Sequence, residues 1–293
     1  IQPDGKIVTS GYIGRSGPEN PSAEDFYLRR FNADGSPDLT FGIDGIIIQD
    51  ESGGLDASWD VEIQPDGKIV AAGFGWQSWE RAVVMRFNSD GSIDSTFSGD
   101  GIAIIEIGGF SDRLWDIELQ DDGKIVGCGT CFVSGSDSDW CSLRLNPDGS
   151  LDSSYGQGGF FTLDLGDTQV SAEALKIMDD GRILMAGYGV PDGTYLMQFA
   201  MFNTNGTLDE SWDNDGLVEV IISNADDAVK SLAIQEDGKI LAAGYGWNGF
   251  NYDFALTRLN PDGSIDLSFD GDGKELTSIG EANDFIESIY LRS

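Results

Sequence analysis

The sequence predicts an all-β chain folded as a five-bladed β-propeller, with four antiparallel strands per blade. Three observations lead there. An eleven-residue phrase recurs five times: "IQPDGKIVTSG" from Ile1, "IQPDGKIVAAG" from Ile63, "LQDDGKIVGCG" from Leu119, "IMDDGRILMAG" from Ile177 and "IQEDGKILAAG" from Ile234. The rest is short apolar runs separated by Asp-Gly and Asn-Gly turns, the spacing of strands and tight connections. No stretch sustains a helical period.

The copies start 62, 56, 58 and 57 residues apart, and each presents its signals in the same order. A run such as "WDVEIQ" enters the turn "PDG" and leaves as "KIVAAG". After a loop of variable length comes a further run, "AVVMRFN" or "FALTRLN". A second turn ("SDGS", "NPDGS", "TNGT") leads into "IDSTF" or "LDESW", and a Gly-rich turn opens the last strand, as in "IAIIEI". Four strands per unit and five units match the arithmetic of propeller blades. Leucine-rich horseshoes need shorter repeats, and helical solenoids need helices.

The first copy lacks the strand that precedes its phrase. "DFIESIYLRS", residues 284–293, parallels "DASWDVEIQP" from Asp56. These last residues are therefore expected to pair beside the first strand, complete blade one and close a single domain over residues 1–293. Because the first residues fall inside a repeat, the chain reads as a trimmed product or a piece of something longer.

Composition narrows the partners. No window approaches the run of apolar residues that a membrane-spanning helix requires. Fifty-one Asp and Glu against 17 Lys and Arg give a formal net charge of −34. Nucleic acid and anionic membrane faces would repel such a chain, which leaves neutral sugars, cations or basic protein patches. His is absent, which removes Ser-His-Asp and Cys-His catalysis and His-containing metal sites. Cys128, Cys131 and Cys141 fall in one repeat. A disulfide from Cys141 to Cys128 or Cys131 is expected, and it would suit an oxidising compartment.

The unit, as in "FALTRLNPDGSIDLSFDGDG" from Phe254, resembles the delta-60 repeat of bacterial proteins. All five copies carry it, the fourth departing most with "FAMFNTNGTLDESW". The resemblance implies a propeller in a secreted or cell-surface protein and attaches no activity to it.

Near-identical turns are expected on one face of such a disc and the dissimilar loops on the other, where recognition usually sits. Those loops carry Trp76, Trp79, Trp140, Tyr188, Tyr195, Trp247, Phe250 and Tyr252. Exposed Trp and Tyr beside polar residues suit sugar rings or protein partners; the alternative is that they wedge between blades. A second constellation is Asp56, Asp112, Asp227 and Asp284, with Val170 at the matching place in the fourth copy. These either rim the central channel and hold a cation such as Ca²⁺, or cap the inter-blade turns. "GYGWNG" from Gly244 is followed by no helix and is no dinucleotide site, "DNDG" lacks a full calcium loop, and Asn205-Gly206-Thr207 lies in a repeated turn. The reading is a non-catalytic binding or adhesion module for carbohydrate or protein. Its alternatives are a glycoside hydrolase using carboxylates at the channel mouth, or a purely structural module.

Overall fold

The computed structural model describes the chain except for residues 16–22, 51–53, 77, 135–136, 167–168, 191–192, 224 and 292–293. Among the described residues there are nineteen strands and no helix. Blade one holds β1 (Ile7–Arg15), β2 (Ala23–Phe31) and β3 (Ile46–Gln49). Blade two holds β4 (Ala57–Ile63), β5 (Ile69–Trp76), β6 (Glu80–Phe87) and β7 (Ile102–Ile105). Blade three holds β8 (Asp112–Leu119), β9 (Ile125–Ser134), β10 (Asp137–Leu145) and β11 (Phe160–Leu163). Blade four holds β12 (Ser171–Ile177), β13 (Ile183–Gly189), β14 (Leu196–Phe202) and β15 (Leu217–Val220). Blade five holds β16 (Asp227–Ile234), β17 (Ile240–Trp247), β18 (Tyr252–Leu259) and β19 (Lys274–Thr277). Each sheet is an antiparallel meander in chain order.

The repeated phrase makes the hairpin between the first two strands of a blade. In blade two the Gly67 N–H donates to the Gln64 carbonyl, and Asp66 Oδ1 accepts from the Lys68 N–H. Gly67 sits at φ +85°, where a side chain would be strained. The strands that follow are apolar on both faces because both are covered: Ile69 through Gly75 of β5 are all buried. Val70 and Val84 of blade two pack with Leu114, Ile125 and Leu143 of blade three, and Leu28 and Phe41 of blade one with Ile69, Met85 and Phe87. Burial of this kind contributes about 25 cal/mol per Å² of apolar surface.

A polar staple accompanies each apolar interface. Arg86 Nε donates to Asp94 Oδ2 at 2.7 Å, the guanidinium lies 4.7 Å over the Phe97 ring, and Nη1 reaches the Pro147 carbonyl of the next blade. Lys68 Nζ meets the same Asp94 oxygen at 2.9 Å. Burial would raise the Asp94 carboxyl, but hydrogen bonds from Thr96 and Lys68 and the charge of Arg86 outweigh it and hold it well below the usual carboxylate range. Arg30 links blade one to the Ser89 carbonyl and Arg144 links blade three to the Thr204 carbonyl in the same way. The fourth copy solves the problem differently. Met201 stands at the arginine's place, Arg182 comes from the lysine's place to bond Asp209, and Trp212 Nε1 donates to the Pro261 carbonyl of blade five.

The expected closure by a strand ladder is not what the structure has. Blade one is three-stranded with β1 at its edge, and residues 283–291 form no ladder with it. They are held by blade five instead: the Asp284 N–H donates to the Tyr252 carbonyl and the Ile289 N–H to Ser231 Oγ. Residues 292–293 of that predicted strand lie outside the described residues. Arg258 pairs with Asp266 and Ser268, and among the described residues it makes no bond to the first blade's turn. Among the described residues, neither a staple nor a shared apolar cluster joins blade five to blade one.

Replacing Arg86 with Ala strands Asp94 inside the interface and is expected to cost about 3 kcal/mol, the usual penalty for removing one member of a buried pair. Arg258→Ala should cost less than half of that, since this guanidinium bonds only within its own blade among the described residues. Chemical denaturation of the two variants measures both.

Candidate functional site

The glycine that ends each repeated phrase shapes the centre of the molecule. A Cβ at Gly73 would lie 1.9 Å from the Ala57 carbonyl oxygen, and one at Gly129, 1.8 Å from that of Arg113. Gly187 and Gly244 stand in the same relation to Ser171 and Ala228. This close approach accompanies a β-bulge in every innermost strand: pairing passes from Ser58 to Asp60, Leu114 to Asp116, Ala172 to Ala174 and Val229 to Ser231. The residues skipped are Trp59, Trp115, Glu173 and Lys230, and all four line the central cavity. A bulge re-aims a side chain, and here it turns one per blade into the channel.

The cavity has a volume of about 600 Å³ and is walled by the four innermost strands and by residues 287–291. Its charge is lopsided. Blades two and three bring Asp60, Glu62 and Asp116, while blades four and five bring Lys176 and Lys230 beside Glu173. Lys176 pairs with Glu118, and Lys230 Nζ meets Glu173 Oε2 at 2.7 Å. Two of the acids also tie inner strands together: Asp60 accepts from the Ile117 N–H at 3.0 Å and Asp116 from the Leu175 N–H at 2.7 Å. Burial, then the neighbouring charge of Asp60, pushes the Asp116 carboxyl far up. Burial, with Asp60 and Glu118 close by, pushes Glu62 up to about 7.

Aromatic rings form three groups, the first of which reaches the cavity through Trp59 and Trp115. Tyr12, Trp59 and Trp115 form a row with centroids 5.9 and 5.2 Å apart, and Trp59 is 44% exposed. Tyr188 and Tyr195 stack edge-on at 5.0 Å. Tyr245, Trp247, Tyr252 and Phe285 form a third group. Between the first two groups lies a pocket of about 300 Å³ lined by Arg113, Trp115, Thr130, Gln169, Ser171 and Tyr188, among others.

Of the aromatics singled out in the sequence, Tyr188, Trp247 and Tyr252 belong to this ring system and are half-buried. Trp76 and Trp79 are exposed near the hairpin of blade two, Trp79 against Phe110, and Phe250 is 91% exposed at a loop tip. Trp140 is a correction: it is fully buried, with Nε1 donating to the Tyr188 carbonyl, so it presents no surface to a ligand. The four aspartates do not line the channel. Asp112 accepts from the Ile107 and Gly108 N–H groups, Asp227 from Ile222 and Ser223, Asp284 from Ile279 and Asp56 from Trp76. Asp112, Asp227 and Asp284 cap the turns that precede them, while Asp56 holds the end of β5. Asp56 also lies with Asp25 and Asp50, their oxygens within 4.8 Å of one another, the one grouping among the described residues at metal-ligand spacing. Cys141 is bonded to Cys131, and Cys128 is a buried free thiol.

Comparison with known proteins agrees with this architecture. A family model described as a domain of unknown function (DUF5122) beta-propeller matches residues 2–41, 64–97, 120–155 and 235–269. The chain is similar to that family model over these four stretches, and the copy left unmatched is the fourth, where Met201, Arg182 and Trp212 rebuild the staple. No curated protein matches the chain. A protein of unknown function from Dyadobacter fermentans is similar in structure, with TM-score 0.54 and 14% identity, over 94% of this chain and 80% of that one. Polysaccharide lyase Uly1 follows with TM-score 0.50 and 12% identity, over 88% of this chain and 69% of that one. Identities this low establish the fold and leave function to the site.

The raised carboxyl of Glu62 has a consequence for stability. Its folded value, about 7, lies above the ordinary 4.5, so the native state binds the proton more tightly than the unfolded chain does. Stability is therefore expected to fall as pH rises through that window. Melting temperature measured from pH 5 to 7.5 should drop in the wild type and drop less in Glu62→Gln.

Proposed function

We propose that the chain is a carbohydrate-binding propeller of a secreted or cell-surface protein, the setting expected for delta-60 repeats, and that it takes its ligand at the channel mouth. The observation that carries this reading is the row Tyr12–Trp59–Trp115, a partly exposed aromatic platform whose two tryptophans line the same cavity as Asp60 and Glu62. Aromatic faces receive the C–H faces of sugar rings, and Asp60 and Glu62 accept hydrogen bonds from hydroxyls. The Cys131–Cys141 bond supports an oxidising compartment, and the net charge of −34 argues against nucleic acid as a partner. On a glycan array the wild type should give discrete signals that Trp59→Ala combined with Trp115→Ala removes; a blank array for the wild type would sink the reading.

A second reading, hydrolysis or elimination on a bound glycan, draws on one observation. Burial, with Asp60 and Glu118 close by, pushes Glu62 up to about 7, and acid–base work on sugars needs carboxyls in unlike environments. Release of reducing or unsaturated ends from array-positive glycans, lost in Glu62→Gln, is the result this reading requires.

Both readings place a wall of the site on residues 287–291, and we infer that the segment 284–291 zips onto β1 to seal the ring as one domain. The segment already repeats the other innermost strands: Asp284 caps its turn as Asp112 and Asp227 do, and the bond from Ile289 to Ser231 mirrors that from Ile117 to Asp60. Gly11, the counterpart of Gly73, has open space where a carbonyl would approach. Gly73→Val should destabilise by about 2 kcal/mol through forced displacement of the backbone. Gly11→Val should match it if the ladder forms and be silent if it does not, as read by thermal melts of both.

A further inference from the structure

Trp115 belongs to two cavities at once. It lines the central channel beside Trp59, and it lines the 300 Å³ pocket between blades three and four. That volume lies at the lower end of the range for small-molecule sites, about 300–1,000 Å³. The ring is fixed in place between them. Its Nε1 donates to Thr130 Oγ1 at 3.0 Å, and that hydroxyl donates to Ser171 Oγ at 2.7 Å. A platform locked by its neighbours loses little freedom when a ligand stacks on it.

The pocket beyond Trp115 has the fittings of a sugar site. Tyr188 supplies a second ring, and burial pushes its hydroxyl up to about 12, so it stays protonated. Exposed Gln169 accepts from the Tyr195 hydroxyl through Oε1, which leaves its amide N–H groups as donors. Arg113 is tied by two bonds of 2.6 Å to Glu80, so its charge is neutralised while Nη1 has no partner among the described residues. Donors, acceptors and two rings converge on one space without a net positive charge.

Resting on the reading of Trp59 and Trp115 as a sugar platform, we propose that this pocket is a second sugar subsite. The ligand is then a neutral oligosaccharide that crosses Trp115 from the channel mouth into the pocket. Neutrality follows from the surroundings: Arg113 is already paired with Glu80, and the chain's net charge of −34 repels an anionic sugar. Neither a single sugar ring nor a uronic-acid polymer satisfies both cavities.

The test uses the full chain and follows tryptophan fluorescence and heat. Neutral gluco-, xylo- and manno-oligosaccharides of increasing length, and oligogalacturonate, are titrated into the wild type, Trp59→Ala, Gln169→Ala and Tyr188→Ala. In one neutral series, affinity should rise tenfold or more from the monosaccharide to the trisaccharide. Gln169→Ala and Tyr188→Ala should bring the trisaccharide down toward the monosaccharide while leaving the monosaccharide unchanged. Gln169 is exposed, so its variant keeps the fold even if Tyr188→Ala does not. Binding that depends on Trp59 but not on chain length overturns the second subsite alone, and tighter binding of oligogalacturonate overturns the neutral assignment. No binding of any sugar, or binding indifferent to Trp59, overturns the platform and the subsite together.

Discussion

The architecture depends on a guanidinium held between two blades. Arg86 binds its own blade through Asp94, covers Phe97 and reaches a carbonyl of the next turn, so one side chain fixes both the hairpin and its neighbour's distance. The pair is sealed by apolar packing, which keeps its field strong and makes its loss costly. Where the arginine is missing, in blade four, the aspartate and the inter-blade bond both persist, served by Arg182 and Trp212. The function of the staple is retained while its atoms change.

Blade spacing in turn sets what the centre can be. Four innermost strands bulge at the same place because a glycine in the adjacent strand admits a carbonyl that any Cβ would exclude. The bulge delivers one side chain per blade to the channel, and the sequence is free to choose it: tryptophan twice, then glutamate, then lysine. A symmetric frame thereby presents an asymmetric site, with acids on one side, paired lysines on the other and two tryptophan rings in its wall. That asymmetry allows neighbouring carboxyls to differ in protonation, which repeat symmetry alone would forbid.

Much of the frame was legible in the sequence. Turn chemistry, strand length and the repeated phrase all respond to local rules, and the Asp-Gly turns appear where "PDG" stands. The aspartates before each innermost strand have two local readings, cap and rim, and their backbone partners select the cap. The centre was harder to read. Alternation predicts which face a strand residue takes, and a bulge resets the alternation partway along, so Trp59 and Trp115 could not be assigned inward from their spacing. A signal was present in the glycine closing "KIVAAG" and "KIVGCG", a residue with no turn to make in the middle of a strand. Trp140 misleads for the opposite reason: polar neighbours in sequence surround a side chain that the next blade covers completely. Pairing of residues 284–291 with β1 would join the two ends of the chain, and the likeness of one segment to another names the strand without supplying the contact.

The staples also bear on how such a chain changes over evolutionary time. Each reaches from one unit to its successor and no further, so a whole unit can be copied, deleted or exchanged with only two junctions to reconcile. Blade four illustrates drift inside that allowance, having rewired its junctions without disturbing units two or three. Recombination can then diversify the central site one wedge at a time while inheriting the rim that holds it.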